Sequence, residues 1–230
     1  RDERPSIRES KIKSTFGCPY CGKVLLKRQL RRTKPYPVQV GYRCCNSGLQ
    51  ETRVVPAEED LARVNAADRA GVPGGLWYPR TPFPDGLNTR QAIAHGLDSV
   101  HDLYTTRNLR AVARLWDVAR RWPENCLSAK LMFTVTSLYQ RVTRLSEFRF
   151  WGGSGNIANY NVPMIFNEQN VFKVFLRKAK TIRNYLATWG SAPATPFCIS
   201  TETATDLSSI PDDSIDYVFT DPPFGGNINY

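Results

Sequence analysis

Histidine is nearly absent from this 230-residue chain, with two residues in all, His95 and His101. Neither lies near a cysteine pair in sequence, so any metal site near the N-terminus has to be built from thiols. Long apolar runs are missing too. No stretch approaches the ~18–20 residues that a membrane-crossing helix needs, which argues against a helical membrane protein. The opening residues Arg1-Asp2-Glu3-Arg4 are charged rather than apolar, so no secretory leader is read. Without a sign of secretion, the six cysteines do not read as a disulfide framework, and a cytoplasmic, reducing setting is expected. The chain opens without Met and stops at Asn229-Tyr230, and we read it as a segment of a longer protein.

What is present is positive charge, and its placement is more informative than its sum. The net charge is +10, and residues 1–55 alone hold 13 Lys/Arg against 4 Asp/Glu, a net of +9. A concentrated basic module is the electrostatic footprint of a protein that grips phosphate backbones. For residues 1–14 a solvated arm is the simpler reading. The apolar fraction of 41% is enough for a packed core, and the length suits one large domain or two smaller ones.

The basic module carries Cys18-Pro19-Tyr20-Cys21-Gly22, a knuckle whose two thiols and following Gly suit a tetrahedral metal. Cys44-Cys45 follows beyond a loop containing Lys27-Arg28-Gln29-Leu30-Arg31-Arg32. Zinc ribbons pair two Cys-x-x-Cys knuckles, yet Ser47 stands here where the last cysteine is expected. Two readings stay open. Cys18, Cys21, Cys44 and Cys45 hold a structural zinc ion, or they are reduced thiols of a metal-free remnant. Cys126 and Cys198, in apolar surroundings, read as buried structural residues. Residues 71–90 are rich in Pro and Gly and predict an extended connector. Its Trp77, Tyr78 and Phe83 read first as pins onto a core and second as a platform for bases. Apolar spacing then predicts helices over 106–122, 128–149 and 167–189, the first capped by Thr105 or Thr106 and stopped by Pro123.

Near the C-terminus, residues 197–200 read as a strand and 211–214 as a turn, and residues 215–220 form an apolar, β-branched and aromatic run of strand length. It ends at Asp221, and Pro222-Pro223 can neither continue a strand nor donate to a sheet. An acid at the carboxyl end of a buried strand sits where open α/β sheets bind ligands. Two prolines present carbonyls without competing N–H groups, and Phe224 adds a flat face. Such a group can accept hydrogen bonds from an amine while stacking on the ring that bears it.

The tetrapeptide Asp221-Pro222-Pro223-Phe224 resembles the catalytic motif of S-adenosylmethionine-dependent amino-methyltransferases. The stretch 200–230 is similar to large site-specific DNA methylases, adenine-specific by preference. Weaker echoes occur at Asp85-Gly86-Leu87-Asn88-Thr89-Arg90 and along 101–109. The resemblance implies that Asp221 and the Pro222 carbonyl accept the two protons of adenine N6. Its delocalised lone pair then turns towards the methyl sulfonium, by positioning and electrostatics rather than covalent catalysis. Phe224 holds the flipped base. It also implies DNA as partner and a restriction–modification setting.

The chain departs from the family at two places. Thr203, with Asp206 three residues on, stands where relatives carry the acid that contacts cofactor adenosine. The Gly-rich Asp-x-Phe-x-Gly-x-Gly loop is missing. Phe150-Trp151-Gly152-Gly153-Ser154-Gly155 follows a helical pattern, and no acid leads it. Residues 1–230 alone are therefore expected to be inactive.

The expected fold is α/β: a partial Rossmann-like methyltransferase sheet over 151–230, a linker and helical insertion over 56–150, and a zinc-ribbon-like module over 1–55. Two rival functions remain open. One is methylation of guanine N2 in RNA, which a similar motif serves. The other is nucleic-acid binding without catalysis.

Overall fold

The computed structural model describes residues 15–26, 34–53, 56–149, 154–156, 160, 162–190, 201, 203, 205 and onward to 221. It divides between Arg183 and Asn184 into two compact units, and the expected boundaries at 55 and 150 both fall inside the first.

The first unit opens with two antiparallel hairpins. Strands β1 (Thr15–Gly17) and β2 (Val24–Leu26) pair with Thr15 opposite Leu26. Strands β3 (Val40–Arg43) and β4 (Gln50–Arg53) pair with Val40 opposite Arg53. Next comes α1 (Glu58–Ala70), with three acids in its first turn, where the helix dipole favours negative charge. Asp60 accepts the Ala57 N–H at 3.0 Å and pairs with Arg53 at 2.8 Å, tying β4 to the helix. No residue of α1 is buried, so it had no apolar stripe for sequence periodicity to detect.

The connector after Gly71 is irregular, as its Pro and Gly content predicts, apart from a bridge between Pro82 and Ser99. Its aromatics are pinned to the body. Trp77 lies 5.4 Å from Trp116, Tyr78 lies 5.5 Å from His101, and Phe83 lies 5.2 Å from Tyr160.

A short α2 (Arg90–Ala94) and a 3₁₀ turn (Val100–Leu103) lead into α3 (Thr106–Arg120). Thr105 caps α3, accepting the Asn108 N–H at 3.4 Å. Packed against α3 is α4 (Asn125–Thr136), locked by the Ser128 hydroxyl donating to the Ala119 carbonyl at 2.8 Å. The helix expected over 128–149 is broken. It stops at Thr136, resumes as the single turn α5 (Tyr139–Val142), and becomes strand β5 (Ser146–Phe148) paired with β6 (Ser154–Asn156). The cause is local. Thr134, Thr136, Ser137 and Thr143 each donate to a carbonyl three or four residues back, competing with the helix ladder where it must end.

Helix α6 (Val171–Trp189) starts where Asn170 accepts the Lys173 N–H at 3.0 Å. It runs close to its expected span and crosses the division between the units.

Two apolar clusters hold the first unit. One joins Ala92, Leu97, Leu103, Leu145 and Val162. The other joins Leu138 and Val142 to Val171 and Val174 of α6. Tyr104 touches both, and burial pushes its phenol up to about 12. Buried Asn108 stitches the second cluster's rim, its side-chain amide donating to the Val142 carbonyl at 2.9 Å and the Gln169 carbonyl at 3.2 Å. Arg107 pairs with Glu168, which also accepts from the Thr105 hydroxyl at 2.6 Å.

In the second unit, Asp213 takes a left-handed φ of 55° and the Ser214 hydroxyl donates to the Pro211 carbonyl at 2.6 Å, so the turn expected at 211–214 is formed. The run 215–220 after it carries no ladder. Tyr217 and Phe219 are 80% and 81% exposed. The neighbouring strand expected at 197–200 lies outside the described residues, and an apolar run becomes a strand only against a partner. Among the described residues the sheets are three antiparallel pairs. The Rossmann-like half-sheet expected towards the C-terminus is not among them, and no helix there is long and apolar enough to cross a membrane.

Candidate functional site

Both hairpins turn through the same device. The Cys18 N–H donates to the Lys23 carbonyl and the Gly22 N–H to the Cys18 carbonyl, each at 2.8 Å. Twenty-six residues later, Cys44 donates to Leu49 and Gly48 to Cys44, each at 2.9 Å. Gly22 and Gly48 close the two turns at φ of 70° and 66°, a conformation that favours glycine. This equivalence sets Cys44 on Cys18 and Ser47 on Cys21.

In each turn, backbone N–H groups face the first sulfur. Those of Tyr20 and Cys21 hold the Cys18 thiol below its ordinary range. The Ser47 N–H does so for Cys44, helped by the Ser47 hydroxyl and the Asn46 N–H. Cys45 falls at the place of Pro19 and is exposed, its sulfur 3.6 Å from the Asn46 side-chain oxygen. The register thus sets Cys45 apart from the other three expected ligands. Beside Cys44 stands Glu51, which accepts from the Tyr42 hydroxyl at 2.8 Å and the Ser47 hydroxyl at 3.3 Å.

The donor chemistry fits half a zinc ribbon at the first turn, while the second turn supplies one thiol in the matching position. Among the described residues, no three side chains of His, Cys, Asp or Glu stand close enough to share an ion.

Asp221 ends the exposed run, while Pro222, Pro223 and Phe224 lie outside the described residues. Thr203 and Asp206 build one local turn: the Asp206 N–H donates to the Thr203 carbonyl at 3.2 Å. Asp206 in turn accepts the Ser208 N–H at 3.1 Å, which holds its carboxyl below the usual range. All described side chains over 201–221 are exposed.

Cys126, expected to be buried, is exposed in the first turn of α4, and Cys198 lies outside the described residues. Arg107 and Asn108, in the first turn of α3, serve the fold: Asn108 through its amide, and Arg107 through Glu168.

One feature was missed from sequence. Arg110, Arg114, Asp117 and Arg121 recur at helical spacing along α3 and its C-cap, so one helix face carries three guanidiniums around one carboxylate. That spacing was the available signal.

No family model matches this chain, and neither does a curated protein or a solved structure.

Proposed function

We propose that this chain belongs to an S-adenosylmethionine-dependent enzyme that methylates an exocyclic amine of a DNA base, adenine N6 first. One observation carries the reading: Asp221-Pro222-Pro223-Phe224 directly follows a strand-like apolar run. Asp221 and the Pro222 carbonyl accept hydrogen bonds from the two amine N–H groups, Pro223 fixes the bend, and Phe224 stacks on the extruded base. S-adenosylmethionine, when bound, supplies the methyl group. Thr203 and Asp206 are assigned to its adenosine side by position alone.

The N-terminal module grips the nucleic acid through its basic charge. The repeated turn sets Cys18 and Cys21, with Cys44 in the matching position, as the thiols that a structural zinc ion would draw on, although among the described residues they do not stand close enough to share one. Arginine side chains grouped on α3 favour the second reading, binding without catalysis, as much as they favour the first.

The test uses the complete reading frame, purified and supplied with methyl-labelled cofactor, DNA and transfer RNA. Label in DNA that is lost with Asp221→Ala supports the proposal. Label in RNA moves the substrate class. No label in either polymer leaves the binding-only reading.

A further inference from the structure

The arginine face of α3 does not stand alone. It forms one wall of a groove of about 500 Å³ whose other wall is the segment Pro73, Gly74, Gly75 and Leu76. Arg110, Arg114 and Arg121 line it.

Asp117 organises this wall. Its side chain is only 4% exposed and accepts from Arg114 at 3.4 Å, from Arg120 at 3.3 Å and from Arg121, whereas those arginines remain more than half exposed. One sunken carboxylate cannot neutralise several guanidiniums, so it fixes their direction and leaves net positive charge facing outward.

The groove is also continuous with aromatic surface. Leu76 lines a second groove of about 350 Å³ with Trp77, Tyr78, Pro79, Arg80 and Thr81. Trp77 stays 56% exposed despite its contact with Trp116, and the Arg80 guanidinium lies 4.6 Å over the Tyr78 ring. Positive charge beside an exposed aromatic ring is the chemistry that holds a single nucleic-acid strand.

We propose that the groove between α3 and residues 73–76 binds the phosphodiester backbone of a single nucleic-acid strand, with a base stacking on Trp77. This stands on its own geometry and extends the methyltransferase reading: such a groove would hold the strand flanking an extruded base. Failure of one leaves the other measurable, because binding and methyl transfer are read separately.

The test is fluorescence anisotropy of the full protein with labelled single-stranded DNA and RNA of about 15 nucleotides, across a salt series. Each phosphate contact to a single strand contributes about 0.7 to the slope of log affinity on log salt, or about fivefold at 0.1 M salt. The double variant Arg110→Gln/Arg114→Gln should therefore bind about 25-fold more weakly, with a slope shallower by about 1.4. Trp77→Ala should weaken binding about tenfold on a normal strand and little on an abasic one.

Gly74→Glu supplies a second variant. Its backbone is not left-handed and an added Cβ meets nothing within 4 Å, so a carboxylate enters the groove without strain. It should repel the strand while leaving the thermal midpoint unchanged. Loss on DNA, on RNA or on both upholds the proposal and names the polymer. Unchanged affinity and slope on both polymers, for the double variant and for Gly74→Glu, would overturn it.

Discussion

Replacing Asn108 by Ala should destabilise the first unit more than its distance from any candidate site suggests. The Asn108 amide is the donor to two carbonyls, of Val142 in α5 and of Gln169 just before α6, at 2.9 and 3.2 Å. Alanine removes both bonds, the buried one to Val142 and the partly buried one to Gln169. A net hydrogen bond contributes about 1 kcal/mol, and a stranded buried acceptor costs about 1–3 kcal/mol. A loss of about 3 kcal/mol follows, allowing for one carbonyl recovering a water. In a unit of this size each kcal/mol moves the thermal midpoint by about 2–4 °C, so the drop should be about 6–12 °C. Asn108→Leu should cost nearly as much, because shape is kept and the donor is not. Urea unfolding followed by tryptophan fluorescence reads the free energy, with Lys130→Gln as an exposed control expected within about 0.5 kcal/mol. A loss below about 1 kcal/mol for both Asn108 variants would refute the idea that this amide joins α3 to the start of α6.

Three further outcomes follow. Leu138→Ala, at a fully buried position of the second cluster, should cost about 2–5 kcal/mol in the same assay. Arg121 first, and then Arg120, hold the Asp117 carboxyl below its usual range. A depressed folded value means the stabilisation is complete above the unfolded carboxylate range, near 4, and is lost as pH falls through the folded value. Urea midpoints of the parent and Asp117→Asn should therefore differ at neutral pH and converge below pH about 4. Metal analysis of the protein should find zinc that is lost with Cys18→Ser, Cys21→Ser or Cys44→Ser and retained with Cys45→Ser; loss with Cys45→Ser would reject the equivalence of the two turns.

The parts of the fold legible in the sequence were those written in short-range rules. Helix α3 was readable because its stripe, the Thr105 cap and Pro123 all mark one segment. The first knuckle and the 211–214 turn were readable for the same reason, since Gly22 and Asp213 take conformations that few residue types adopt. Helix α1 was not legible, because it is held by caps and ion pairs with no buried face. The break after Thr136 was hidden because Val135 and Leu138 keep helical spacing although hydroxyls end the helix between them. The run 215–220 shows the limit from the other side: its composition specifies a strand, yet a strand also needs a neighbour, which local sequence does not supply. For the site, the turn at Cys18 was legible, whereas the arginine groove needed the connector folded against α3 before its second wall existed.

The central claim is that Asp221 orients an amino group of a DNA base for methylation. The most direct measurement expresses the complete reading frame in a host lacking its own DNA methylases. The host DNA is then digested, and its modified nucleosides are quantified by mass spectrometry. The account predicts N6-methyladenine with the parent and none with Asp221→Ala. Methylated DNA at equal levels with both would contradict the role given to Asp221, and no modified DNA base with either would contradict DNA amino-methylation itself.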